Sequence, residues 1–465
     1  MSLSHEPTPP RAPAGARTPP SPALELAARI RRREISSVEA TRAALETIRR
    51  RDAEYCAFVE VAERSALAAA ERADARLARG GVLPAFLGVP TAIKDHEHVR
   101  GMGTRVGSVA LSWLKTWPFD GLLTRRCREA GFVLLGKLAT SEMTILPFID
   151  GDLHRPTRNP IDRTRYAGGS SGGSSAAVAA GMIPIAPGSD GAGSIRLPAS
   201  FCGLVGVKPG RGTLFHEHTA TDPTEISAVG PLAHDLADAA AMLDVLDGRA
   251  AHQDVPAPGS FRAALAVRPR GLKIKLALRS PLVDVDPEIE GAVRRAARAL
   301  ESLGHHVEDA ASLDGTLEEF LPMMARMVAM IPLPRLLDPW LQPTTLWLRE
   351  VGRKIDRAAL FRAKELLEAR VLDWFGDADA VVCPTCAVPP PKVGAFSGLG
   401  GEAVFRAVVP IGAFTAGFNV SGQPALSLPA GLSTRGFPMG VQLVGRPRQD
   451  RALLGLAADL EPLLR

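Results

Sequence analysis

The chain has 465 residues, of which 46% are hydrophobic and 23% charged, and carries a net charge of +5 with an isoelectric point near 9.1. That much apolar material builds a substantial core, while no apolar run approaches the roughly 20 residues of a membrane-spanning helix. Aromatic residues, at 5%, are too scarce to form stacking platforms for single-stranded nucleic acid.

Taken in order, residues 1–22 are proline-rich and lack the charged start and apolar core of a signal peptide, so they are expected to form a disordered arm. Helical spacing runs over residues 23–50, and its two basic runs, RIRRRE (29–34) and IRRRD (48–52), read as solvated helix faces. A second helix is expected over 61–79, stopped by Gly80 and Gly81. Strands are expected at 89–93 and 133–135. The first leads into Lys94, Asp95, His96, Glu97 and His98. Two histidines flanking a carboxylate invite a metal, but no third ligand follows at zinc-like spacing, so this stretch is expected to be a solvated loop.

Residues 174–180 read as a short helix of small side chains, followed by an apolar, strand-like run over 182–186. Later strands are expected at 273–278, 380–383, 425–428 and 440–444, with helix over 287–303 and mainly over 317–375. The five cysteines, Cys56, Cys127, Cys202, Cys383 and Cys386, are scattered and odd in number. That argues against a disulfide framework and for a reducing compartment, the cytoplasm. Cys383 and Cys386 form a CxxC without a second pair and read as loop packing rather than redox or zinc chemistry. Strands alternating with helices argue an α/β fold, a mixed central β-sheet covered by helices on both faces.

The segment over 168–213 is the most informative. It holds two glycine-framed serine clusters, GGSSGG (168–173) and GSDGAGS (188–194), separated by the apolar run. Glycine lets backbone approach a reacting atom, so serine hydroxyls and free N–H groups can converge on one small space. A flexible linker would not carry the apolar run, nor Asp190 and Arg196 bracketing Ser194. With the GVPTAIKD turn and strand at 88–95, FNVSGQPALSLPAG at 418–431 and GVQLVGRP at 440–447, these blocks resemble the amidase signature family from about residue 24 to the end.

The resemblance implies one large domain over 23–465, where a length rule alone would suggest about three. It also implies hydrolysis of a carboxamide through a seryl acyl-enzyme. Ser194 matches the family's nucleophile, Ser170 its relay serine beside a cis peptide, and Lys94 its base. The chemistry fits the residues. Serine is inert at its own pKa and needs a base; a buried lysine can lose its proton, as arginine cannot, and Lys94 is one of nine lysines against 46 arginines. The amides of Gly191, Ala192, Gly193 and Ser194 are expected to form the oxyanion hole. Ala192 stands where the family often has glycine; if it needed positive φ the methyl would cost about 1 kcal/mol, unless Gly191 absorbs the turn.

No cofactor and no metal are expected. The expected partners are a small-molecule amide and, for assembly, a second copy in a homodimer; neither nucleic acid nor membrane is expected. Two other readings share the blocks. One is the glutaminase subunit of a tRNA-dependent amidotransferase, which usually has glutamine where this chain has Leu197. The other is a silent scaffold, against which all three catalytic positions are filled. A GxSxG elbow at Ser170 is set aside because the preceding residues, NPIDRTRYA, are polar and turn-like rather than a buried strand. The acyl pocket is expected from residues 144–156 and 317–347, the latter rich in Met323, Met324, Met327, Met330, Trp340 and Trp347.

Overall fold

A computed structural model describes residues 23–464 apart from 216, 218–221, 252–254 and 316. The expected N-terminal arm lies outside the described residues. Helices α1 (Ala23–Arg31) and α2 (Ser37–Tyr55) divide the single helix expected over 23–50. The break has a local cause: Ser36 caps α2 by accepting from the Glu39 N–H at 3.1 Å, and the Glu39 carboxylate accepts from the Ser36 N–H at 2.8 Å. The basic runs meet acids of their own surface, Arg32 with Glu25 and Glu34, Arg49 with Glu46 and Glu63.

Strand β1 (Phe58–Val61), missed in the sequence, precedes α3 (Glu63–Arg79). It joins β2 (Pro90–Lys94) and β3 (Val133–Leu138) in a small sheet of order β1-β3-β2, with α4 (Leu122–Glu129) leading into β3. Next come α5 (Gly172–Ala179), β4 (Ile185–Asp190), α6 (Arg196–Cys202), β5 (Val205–Lys208), β6 (Ala228–Ala233), α7 (Leu236–Leu246) and α8 (Phe261–Ala264). They are followed by β7 (Lys273–Leu276), α9 (Pro287–Ser302), β8 (His306–Asp309), α10 (Leu317–Met330), α11 (Pro343–Arg353) and α12 (Arg357–Phe375). The chain ends through β9 (Ala380–Pro384), α13 (Gly401–Gly412), α14 (Ala416–Val420), β10 (Ala425–Leu432), β11 (Pro438–Gly445) and α15 (Asp450–Leu464).

The large sheet has the order β4-β6-β5-β10-β11-β9-β7-β8, antiparallel from β4 to β9 and parallel from β9 to β8. It is a mixed sheet between helices, as expected. One face packs Leu426, Leu428, Val441 and Leu443 against α7, α9 and α15. On the other side, alanines of α2, α3 and α5 pack around Leu135 and Leu138. Every position of α5 except its last, Ala179, is buried. A side chain at its Gly173 would run into the Ala139 backbone, so the sequence GGSSAAVA is what lets this helix sit against the small sheet. The expected strand at 182–186 begins later, at Ile185, and continues through Ser189 and Asp190. It therefore carries the first half of the second serine cluster on rigid structure.

Candidate active site

Strand β2 is buried along its whole length, and its only charged residue is the last one. That places the Lys94 ammonium in the interior, 1% exposed, with Nζ 2.8 Å from Ser170 Oγ, 2.9 Å from Ser189 Oγ and 3.0 Å from Ser171 Oγ. Among the described residues no carboxylate lies within ion-pair distance of it. Burial pushes its pKa down to about 7, outweighing the smaller upward pulls of Asp190 and Glu97. Ser171 Oγ donates onward to the Ser189 carbonyl at 3.1 Å, so toward Lys94 it serves as an acceptor.

The first cluster is drawn onto the second by the backbone. The Gly169–Ser170 peptide is cis, as the resemblance implied, and the Ser171 N–H donates to the Ser194 carbonyl at 3.2 Å. No named strand leads directly into Ser170, in keeping with the setting aside of an elbow. Ser194 lies in the turn between β4 and α6. The turn is organised by Asp190, whose buried carboxylate accepts from the N–H groups of Gly193 at 2.6 Å and Ile195 at 3.2 Å. Asp190 is gripped by Arg196 through two contacts of 2.9 Å and by Asn419 at 3.0 Å. Burial works to raise Asp190, but the charge and hydrogen bonds of Arg196 prevail and hold it well below the usual carboxylate range.

This turn changes two expectations. The Gly193 N–H is spent on Asp190 rather than facing the reaction space, whereas the amides of Gly191, Ala192 and Ser194 donate to no protein group among the described residues. Positive φ falls on Gly193, at 126°, and not on Ala192 or Gly191. The methyl of Ala192 therefore carries no backbone strain.

Ser194 and Ala192 form part of the wall of an open cleft. Its lining is apolar: Ile145, Pro147, Leu197, Leu317, Phe320, Met324, Val371, Phe405 and Val408 among others, with Asp314 as the one charged side chain among the described residues. Both expected wall segments contribute, but of the six large side chains named from the sequence only Met324 faces the cleft. Met323 is buried beside Leu360, Trp347 packs on Phe405, and Trp340 is 55% exposed. The remaining walls come from residues 280–282, 313–315, 367–371 and 405–420, which sequence reasoning missed.

The stretch after Lys94 is packed rather than solvated. Asp95 and Glu97 are buried, Lys137 Nζ lies 3.0 Å from Asp95 and 2.8 Å from the Glu97 carbonyl, and the His98 ring stacks on Trp117 at 4.0 Å. His96 Nε2 lies 3.5 Å from Glu97. Among the described residues no group of three His, Cys, Asp or Glu side chains is arranged to hold a metal. Cys383 is part of β9 rather than a loop, with Sγ 3.1 Å from Gln442 Nε2; burial pushes both Cys383 and Cys386 up to about 12.

Fold and site together define a hydrolase acting on amide bonds. The chain belongs to the amidase family, whose model matches residues 39–454. The protein named "Putative amidase AmiB2" of Mycobacterium bovis is 38% identical over 426 residues, 90% of either chain. A glutamyl-tRNA(Gln) amidotransferase subunit from Moorella thermoacetica is 34% identical over 478 residues, spanning 94% of this chain and 96% of that one. Among solved structures, 6-aminohexanoate cyclic dimer hydrolase complexed with substrate superposes with a TM-score of 0.85 at 30% identity, covering 96% of this chain and 97% of the other.

Proposed function

We propose that this amidase hydrolyses uncharged apolar or aryl carboxamides by way of an acyl-serine at Ser194, with Ser170 and Lys94 moving the proton. The observation that carries the reading is the arrangement around Lys94. A neutral amine has two N–H groups and one lone pair. Ser171 takes one N–H and Ser189 is placed for the other, leaving the lone pair for the Ser170 hydroxyl.

As the Ser194 oxygen attacks the carbonyl carbon, its proton passes to Ser170 Oγ and the Ser170 proton passes to Lys94 Nζ. The negative charge gathering on the carbonyl oxygen is met by amides of the Gly191–Ser194 turn. Collapse breaks the C–N bond, and the departing amine takes its proton back through Ser170. Water then repeats the sequence on the ester and releases the carboxylate.

Substrate class rests on the cleft. Among the described residues its one charged lining residue is an aspartate, Asp314, and Leu197 stands in its wall, so the α-carboxylate of glutamine meets no cation among them. The amidotransferase reading is supported by overall similarity to proteins such as the Moorella thermoacetica subunit. A panel of acyl amides decides between them: the purified chain alone is expected to release ammonium from apolar or aryl amides faster than from glutamine. Preference for glutamine, stimulated by a partner protein, would overturn the choice. A cytoplasmic setting is part of the proposal and is supported by the scattered cysteines.

A further inference from the structure

The Ala192–Gly193 peptide lies in the middle of the turn that carries Ser194, and glycine at 193 gives it freedom to rotate. Its two ends are nonetheless both held. The N–H goes to Asp190 at 2.6 Å, and the carbonyl of Ala192 accepts from the Thr415 hydroxyl, also at 2.6 Å. Thr415 is fully buried just before α14 and does not line the cleft. Its hydroxyl also lies 3.2 Å from the Gly412 carbonyl, the longer of the two contacts. Because a side chain at 193 would collide with Thr415 Oγ1, only glycine lets the hydroxyl come this close.

The holding groups close into a ring. Arg196 Nη1 donates to the Thr415 carbonyl at 3.2 Å, and the same guanidinium grips Asp190. Strand β4, the turn, α6 and α14 are thereby fixed to one another around a single peptide plane. Released at its carbonyl end, that plane is held only by the Gly193–Asp190 bond and can tilt about it, which would redirect the neighbouring free amides of Ala192 and Ser194. Amides turned away from the substrate carbonyl would no longer stabilise the oxyanion that develops there.

We propose that Thr415 is a positioning residue for acyl transfer: its hydroxyl holds the Ala192–Gly193 peptide so that the free amides of the turn face the substrate carbonyl. The inference rests on the Ser194 acyl-enzyme reading. It differs from that reading in what it predicts, because it concerns transition-state stabilisation and leaves both the proton route and ground-state binding alone.

The test compares Thr415→Val, which removes the hydroxyl and keeps the branched shape, with Thr415→Ser, which keeps the hydroxyl. With an amide that the wild type turns over, T415V is expected to lose about 100-fold in kcat with KM within about twofold. The pH midpoint should stay in place, and affinity for an acyl boronate that mimics the tetrahedral oxyanion should fall in parallel. T415S should recover most of the rate. The proposal is overturned by T415V within about threefold of wild type, or by equal losses in T415V and T415S, which would assign the effect to methyl packing. If thermal melting shows that T415V does not fold, T415S against Thr415→Ala carries the same contrast. A fluorophosphonate probe that fails to label Ser194 in the wild type would instead reject the acyl-enzyme reading itself.

Discussion

Two strands of this protein end in a buried lysine, and the pair separates two uses of one physical effect. Lys94 closes β2 and Lys208 closes β5; each is 1% exposed, and burial pushes each down to about 7. Their partners differ. Lys94 meets three serine hydroxyls, groups that can hand over a proton. Lys208 meets the carbonyl oxygens of Pro209 at 2.9 Å and Gln423 at 2.6 Å, which have none to give. A depressed pKa makes a lysine able to act as a base, but the neighbouring atoms decide whether there is anything for it to do. Lys208 is a staple between β5 and the approach to β10.

The strongest way to break this comparison is to replace each lysine in turn. Lys94→Arg keeps a cation but cannot release its proton, so turnover is expected to fall by a factor on the order of 10³ or more, nearly as far as in Lys94→Ala. Lys208→Met leaves two buried carbonyls without a donor and should cost about 1–3 kcal/mol of stability for each. Its kcat should stay within about tenfold of wild type. Near-normal turnover in K94R, or loss of the same order in K208M, would erase the distinction.

A finer separation comes from pH. Turnover should rise through about pH 7 and level off as Lys94 becomes neutral, with the same midpoint in K208M. Stability reports on both lysines together. Unfolded lysine keeps its proton to about pH 10.4, whereas these two lose theirs near 7 when folded. Above pH 7 the unfolded chain therefore binds more protons, and stability should climb toward pH 9; below 7 both states are charged and the full cost of burying the cations is present. Denaturant titrations at pH 7, 8 and 9 should show a shallower climb in K208M. A slope unchanged by the substitution would mean that Lys208 is not depressed.

The smallest effect is expected where titration serves neither purpose. Alanine at both Cys383 and Cys386, whose thiols are held up by burial, should leave the rate within about twofold, as should dialysis against a strong chelator. Chelator-sensitive activity restored by zinc would return His96 and His98 to consideration.

The residues nearest the proposed chemistry were legible in the sequence because their constraints are local. Glycines framing serines, and a lysine ending an apolar strand, occupy consecutive positions. What escaped is long-range. Thr415, Asn419 and Gln442 meet Arg196 from more than 200 positions away, and nothing in their neighbours' identities announces it. The Gly193 amide was misjudged for the same reason in miniature, since which N–H a carboxylate takes depends on a turn's shape. The break between α1 and α2 was readable in principle from Ser36 and Glu39, but helical spacing on both sides masked it. Strands β1, β6 and β8 are short or carry few β-branched residues, so their pattern is weak and pairing alone defines them.

The cleft draws most of its walls from residues 280–420, whereas Lys94, Ser170 and Ser194 with the turn around them fall within residues 94–196. The proposed catalytic groups and most of the cleft wall are thus written in different parts of one chain, with Thr415 reaching across from the second to the first. A substitution at Phe320, Met324 or Val371 can reshape the cleft without moving the proposed proton route, so a library confined to such wall positions, sparing Thr415, Asn419 and Gln442, explores new substrates while holding the reaction constant. The same partition gives evolution a fixed engine with an exchangeable mould.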